Sequence, residues 1–248
     1  MPMEDGAVWS LDPSYPITPQ ITRILRERIV RNDLKPGNRI SEAEIARSYD
    51  VSRQPVREAF IKLAEQGLLA VLPQRGTIVS KIAYASVLDA RFLREAIEAD
   101  IVKLLAANPD PALVEKLRAQ LAQQKEVADR SPQDFIQADE KFHRTLAEGA
   151  GKGGAWKLIE GLKAQMDRVR FLSLGRFPIE KLIGQHTDVV DMIAEGNVEK
   201  AEIAIRTHLR EILTDLPEIM RANPDFFDLP AGELPEPVTA PIQQGGKP

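Results

Sequence analysis

Apolar positions recur at helical spacing along most of this chain, and one stretch departs from that period. Leu68 to Leu72, the turn Pro73-Gln74-Arg75-Gly76 and Thr77-Ile78-Val79 read as a short β-hairpin. In front of it the pattern predicts three helices. The first runs from about Thr18 to Asp33, with Pro19 suited to an N-terminal turn. The second begins at Ser41, which has capping-box spacing to Glu44, so that hydroxyl and carboxylate can each satisfy an orphaned amide. The third begins at Ser52 as a cap, with Pro55 in its first turn, an inward stripe of Val56, Phe60, Leu63 and Ala64, and Gly67 as a left-handed end. Three helices followed by a two-stranded wing make a winged helix-turn-helix.

Arg53 and Arg57 lie four apart on the third helix, away from its apolar stripe. A recognition helix presents such residues to base edges, where arginine grips the O6 and N7 acceptors of guanine with two hydrogen bonds. A small helical domain with arginines on a solvated face would show the same spacing, and the pattern alone leaves both readings open. The particular residues go further. Leu34-Lys35-Pro36-Gly37, Ser41-Glu42, Val51 to Ala59 and Glu65-Gln66-Gly67-Leu68 closely resemble the GntR family of bacterial transcription regulators. That resemblance, over residues 17–80, implies that Ser52, Arg53, Gln54 and Arg57 contact an operator. It also implies Arg75 and Gly76 at the wing tip near the minor groove, with Arg39 as a backbone contact. Many members carry arginine between the two glutamates of the second helix, where this chain has Ala43.

Charge divides the chain in the same place. Residues 17–81 hold 12 Lys or Arg against 7 Asp or Glu, a net of +5, whereas residues 82–248 hold 21 against 27, a net of −6. Only the first part is suited to phosphates. With 248 residues, 43% of them hydrophobic, the chain can build a second core beyond the winged domain. Residues 84–222 read as helical, interrupted at Asn108-Pro109-Asp110, Arg130-Ser131-Pro132, Gly149 to Gly154, Gly175 to Pro178 and Gly196-Asn197. Six helices in an antiparallel bundle are expected, with Leu88, Phe92, Leu93, Ile97, Ile101 and Leu104 as the stripe of the first and Val189, Val190, Met192 and Ile193 in the fifth. Residues 1–16 read as a loose arm. From Pro224 onward six prolines predict a mobile or draped tail, residues 223–248, without a regular element. The chain has no cysteine, no signal segment at its start and no apolar run long enough for a membrane span, so a cytoplasmic protein is expected.

The helical part holds every histidine, His143, His186 and His208. Asp139 precedes His143 by one helical turn, so both project from one face, and the fifth and sixth helices can bring the other two across. One oxygen and three nitrogens suit a borderline divalent ion, zinc first among nickel, cobalt, iron and manganese, rather than magnesium. The spacing is equally that of a surface Asp–His pair and scattered histidines. However, Asp139 to Leu146, His186 within Gln185-His186-Thr187-Asp188 and Gly196-Asn197 through His208 resemble the FCD effector domain of FadR-type GntR regulators, over residues 84–220. The resemblance implies a metal on Asp139, His143, His186 and His208. It also implies Arg94 facing the effector pocket, with Arg168 and Arg170 as further candidates, although Arg94 could equally pair with Glu98 one turn on. Gln185 stands where the family often has glutamate, and Gly151-Lys152-Gly153-Gly154 where it often has asparagine.

The regulator so implied is a homodimer that reads an inverted repeat, usually represses, and responds to a small carboxylic acid completing the metal's shell. Two other classes compete. Glu140-Lys141-Phe142-His143 is the Glu-x-x-His unit of di-iron bundles, but Ile183 and Ile205 stand three before His186 and His208, so a second copy is missing. A metal-dependent enzyme therefore lacks its second iron site. A DNA-binding dimer with neither effector nor metal is the remaining alternative.

Overall fold

The computed structural model describes residues 9–128, 130–173, 179–230 and 232–239. The expected break at Gly175 to Pro178, residues 1–8 of the arm and residues 240–248 of the tail lie outside them. Residues 9–16 are fastened rather than loose. Gln20 Nε2 donates to the carbonyls of Asp12 and Tyr15, Arg31 stands 5.5 Å from the centre of the Trp9 ring, and Leu11 packs on the core. Side-chain anchors of this kind carry no periodic signal.

The N-terminal unit comprises α1 (Ile17–Val30), β1 (Arg39–Ile40), α2 (Glu42–Ser48), α3 (Arg53–Glu65), β2 (Leu69–Leu72) and β3 (Gly76–Val79). Ser41 caps α2 by accepting from the Glu44 amide at 3.3 Å, whereas Ser52 stands before α3 with its hydroxyl making no cap bond. Gly67 follows α3 at φ +69°, a left-handed conformation that a side chain would strain. Ile21, Leu25 and Ile29 of α1 meet Ile45 of α2 and Val56, Phe60 and Leu63 of α3 in one core, closed by Leu68 and Val79. The wing has three strands in the order β1-β3-β2 rather than two. A two-residue strand is too short to show alternation. It forms because Gly37, at φ +81°, turns the chain so that its amide donates to Val79 and Val79 donates to Asn38.

The second unit follows β4 (Ile82–Ala83) with α4 (Tyr84–Ala107), α5 (Pro111–Ala128), α6 (Pro132–Gly149), α7 (Gly153–Leu162), α8 (Ala164–Leu172), α9 (Ile179–Ala194) and α10 (Val198–Ala222). Seven helices thus stand among the described residues where six were expected. The fourth segment breaks at Lys163, whose buried ammonium is held by Asp167 at 2.8 Å and Glu140 at 3.2 Å. That turn is stabilised by one local pair and one tertiary pair, and the tertiary one is not announced by local sequence.

Central in this unit, α4 packs against α6, α7, α8, α9 and α10. Its buried face differs from the predicted stripe: Leu88 and Ile101 point inward, but Phe92, Leu93 and Leu104 are exposed, and Arg91, Arg94, Glu95 and Glu98 are buried. Burial of four charges is tolerable because they neutralise one another as Arg91–Glu95 and Arg94–Glu98 pairs. The tail also departs from expectation. A 3-10 turn, Pro224–Phe226, leads into β5 (Phe227–Asp228), which pairs in parallel with β4. Proline withholds a donor only at its own position, so the two residues between prolines can still join a ladder.

Candidate metal centre and nucleic-acid face

On α6, whose inward face carries Phe135, Phe142 and Leu146, Asp139 and His143 project one turn apart into the bundle. His186 arrives from α9 and His208 from α10, and all four side chains are buried. His208 Nε2 lies 3.1 Å from His186 Nε2 and 3.2 Å from His143 Nε2, while Asp139 Oδ1 is 3.5 Å from His186 Nε2 and 3.9 Å from His143 Nε2. Two nitrogens bound at about 2.0–2.1 Å to one ion stand about 3.0 Å apart at right angles and about 3.4 Å apart in a tetrahedron. Both nitrogen–nitrogen distances fall in that range, and the Asp139 oxygen stands slightly farther out, at 3.5 and 3.9 Å.

The partners behind the rings decide the chemistry. His143 Nδ1 lies 2.6 Å from Glu98 Oε2, a carboxylate that can only accept, so the proton belongs on Nδ1. His186 Nδ1 meets Gln124 Oε1 at 2.9 Å, with the amide fixed that way round because its Nε2 donates to the Ala138 carbonyl. His208 Nδ1 meets Gln185 Oε1 at 3.2 Å, and Gln185 Nε2 donates to Glu211 at 2.8 Å, which fixes that amide too. Each imidazole therefore gives its Nδ1 proton outward and turns its Nε2 lone pair inward. Three lone pairs and a carboxylate around one point repel unless a cation lies between them, so the donor set fits a metal.

Electrostatics agree. Burial raises the Asp139 carboxyl, but the Arg170 guanidinium beside it outweighs that and holds Asp139 well below the carboxylate range. Burial also raises Glu98, yet Arg94 and His143 bring it down to about 2. Burial pushes His186 down to about 3, and burial with the neighbouring rings pushes His208 well below the usual imidazole value. Both are thus ready ligands at neutral pH. Because the unfolded chain binds more protons at these two sites below pH 6.5, stability present above that pH is lost as pH falls below it, for His186 down to about 3. We expect the urea midpoint of chelator-treated protein to fall from near pH 7.5 to about pH 5, and the fall to be smaller in His186→Gln. A flat wild-type profile would contradict this balance.

Of the three arginines named from sequence, two reach the centre. Arg170 grips Asp139 through Nη1–Oδ2 at 2.5 Å, and Arg94 Nε donates to Glu98 Oε1 at 2.5 Å. Both line a cavity of about 20 Å³ beside His208, Glu211, Leu182 and Ile212. The structure does not bring Arg168 there. Two residues on a helix differ by about 200°, so Arg168 points from the opposite side of α8 and donates to the Ser80 carbonyl at 2.9 Å and to Gln165 at 3.2 Å. Sequence reasoning missed Gln124 as a buried ring partner, since a glutamine on an otherwise ordinary helix gives no signal. Glu98 was noticed only as a mate for Arg94, and Gln185 only as a departure from family habit.

At the other end of the molecule, Ser52, Arg53, Gln54 and Arg57 are all exposed along the first turns of α3. Among the described residues Arg53 and Arg57 form no ion pair, while Gln54 donates to Glu58 at 3.1 Å. Arg39 is exposed on β1, and Arg75 and Gly76 are exposed at the hairpin end. No helix among the described residues is long and apolar enough to cross a membrane.

A cationic helix face displayed on a winged domain, with a chelating cluster enclosed in a separate bundle, divides reading from sensing as a ligand-responsive transcription regulator does. Comparison with protein families gives the same class. The model for bacterial regulatory proteins of the gntR family matches residues 17–79, and that for the FCD domain matches residues 89–211. The chain belongs to the GntR family and is a transcriptional regulator with an FCD effector-binding domain; its relatives are regulators, not enzymes. It is 40% identical to the HTH-type transcriptional repressor RspR of Escherichia coli K12, over 88% of this chain and 96% of that protein. It is 39% identical to an HTH-type regulator in an unstable DNA locus of Streptomyces ambofaciens, over 85% and 89%. Among solved structures, a GntR regulator from Rhodococcus sp. RHA1 aligns with a TM-score of 0.60 at 26% identity, over 83% of this chain and 98% of that one. Escherichia coli McbR/YncC shares the fold, with a TM-score of 0.70 at 18% identity, over 82% and 98%.

Proposed function

We propose that this regulator is a cytoplasmic homodimeric repressor whose hold on an inverted-repeat operator is set by a small carboxylic acid bound at a divalent metal, zinc first. The observation that carries the reading is the convergence of three Nε2 lone pairs, each enforced by an Nδ1 partner. Asp139, His143, His186 and His208 would hold the ion, which would supply a Lewis-acidic position for a carboxylate oxygen. Asp139 and Glu98 are already balanced by Arg170 and Arg94, and Glu211 by Lys181. A divalent ion therefore leaves the buried site with excess positive charge, and an anion is what offsets it. Arg94 and Arg170 line the cavity from which such an anion would approach, and guanidinium groups bind carboxylates with two parallel bonds.

A cavity of about 20 Å³ admits an organic acid only if its lining moves. Arg170 is carried on α8, and the same helix touches the winged domain. Ala164 lies in that domain's core, Gln165 Nε2 donates to the Gly67 carbonyl at the end of α3, and Asp167 faces Arg26 at 3.6 Å. Displacement of Arg170 would thus be felt at the end of the recognition helix. The acid changes operator affinity only by preferring one placement over the other. Dimerisation is supported by apolar residues left exposed on adjoining helices, Phe92 and Leu93 on α4 with Leu158 and Leu162 on α7. Operator contact is assigned to Arg39, Ser52, Arg53, Gln54, Arg57, Arg75 and Gly76, and repression follows the names of the relatives.

A thermal-shift screen of small mono-, di- and hydroxycarboxylic acids, run with and without chelator, tests the sensor. At least one acid should raise the melting temperature only when zinc is present. Stabilisation that ignores the chelator would detach the acid from the metal, and no stabilisation by any acid would favour a DNA-binding dimer without an effector.

A further inference from the structure

The chain crosses from the winged domain to the bundle through Ser80 to Tyr84, between the segments that the two family models match. A returning C-terminal segment seals this crossing. β5 pairs in parallel with β4 in the register Ile82↔Phe227 and Ala83↔Asp228. Ile82 is fully buried and Phe227 is 3% exposed, in one apolar cluster with Tyr84, Val87 and Leu88 of α4 and Met166 and Val169 of α8. Farther along, the Tyr84 hydroxyl donates to the Pro235 carbonyl at 3.2 Å, and the buried guanidinium of Arg91 donates to the Val238 carbonyl. From the opposite side Arg168 holds the Ser80 carbonyl.

We infer that the segment carrying Phe227, Pro235 and Val238 is a strap that fixes the interdomain crossing and thereby sets where the winged domain stands relative to the bundle, so that DNA affinity depends on its being seated. The strap lies beyond residue 211, where the FCD match ends. The inference rests on the family's DNA binding and not on the metal, so it survives failure of the sensor reading. Two residue pairings, one buried side chain and two side-chain hydrogen bonds are a modest hold, in the range where a segment can seat and release.

The test uses full-length protein and a duplex enriched from a random pool by the wild-type chain. Lys81, exposed next to buried Ile82, is a tryptic site that a seated strap shields, and Arg75 at the exposed wing serves as the internal reference. In Phe227→Asp, cleavage after Lys81 relative to Arg75 should rise about tenfold, and affinity for the duplex should fall about fivefold, with helical circular dichroism retained. The chain has no cysteine, so Ala83→Cys with Asp228→Cys forms a single disulfide across the pairing. Its oxidised form should be cleaved after Lys81 about tenfold more slowly than its reduced form while binding the duplex at full strength. An unchanged cleavage ratio in folded Phe227→Asp, or faster cleavage at unaltered affinity, would overturn the inference. Should Phe227→Asp not fold, equal cleavage of the oxidised and reduced pair would overturn it.

Discussion

His208→Ala should abolish metal binding outright. Wild-type protein dialysed without chelator should retain about one zinc per chain by atomic absorption, and the variant about none, because loss of one of four converging donors opens a small buried site to a buried void rather than to a substitute ligand. His208 suits the test because its neighbours are neutral or already paired: Nδ1 rests on Gln185, and the substitution leaves the Arg170–Asp139 pair intact. Asp139→Ala should lose the ion as well, but it also strands Arg170 and so costs stability for a second reason. Glu98→Gln, which weakens the acceptor behind His143, should reduce affinity by about 10–100-fold without abolishing it. With zinc at about one hundred times its dissociation constant, wild-type protein gains about 2.7 kcal/mol, a rise of several degrees in melting temperature. His208→Ala should show no such rise. Full zinc retention in that variant would remove the centre from the mechanism.

At the DNA face, the largest effect is expected from Arg57→Ala, which should weaken specific binding by about 1–3 kcal/mol if the guanidinium holds a base with two bonds. Arg57 is exposed, among the described residues carries no ion pair and sits one turn along α3 from Arg53, so its loss removes little from the fold. The readout is the ratio of affinities for the enriched duplex and a scrambled one. That ratio should shrink in Arg57→Ala, whereas Arg39→Ala, if Arg39 meets a phosphate, should weaken both duplexes alike and flatten the salt dependence. An undiminished ratio in Arg57→Ala would take base reading away from that residue.

The two halves of the molecule differ in how far sequence foretells them. Ser41, Pro55, the Val56–Phe60–Leu63 stripe and Gly67 each act within a turn or two of chain, and the elements they announce are those that form. In the bundle the candidate ligands could be named only through the family resemblance, since Asp139 and His143 on one helical face also suit a surface pair. Their supports could not, since Gln124 stands 62 residues from the ring it orients. On α4, periodicity placed Phe92, Leu93 and Leu104 inward, yet the buried positions went to charges that pair. An apolar stripe predicts burial only where its neighbours are apolar too.

Local sequence by itself determined the winged helix-turn-helix and the exposure of Arg53 and Arg57, because caps, turns and helical faces depend on contacts within a few residues. Only the tertiary structure decided which nitrogen of each histidine faces inward, that Arg170 and not Arg168 reaches Asp139, and that Phe227 returns to cover Ile82. Those outcomes depend on hydrogen-bond partners and buried neighbours far away in the chain, whose approach is fixed by packing and by the cost of leaving a buried polar group unpaired.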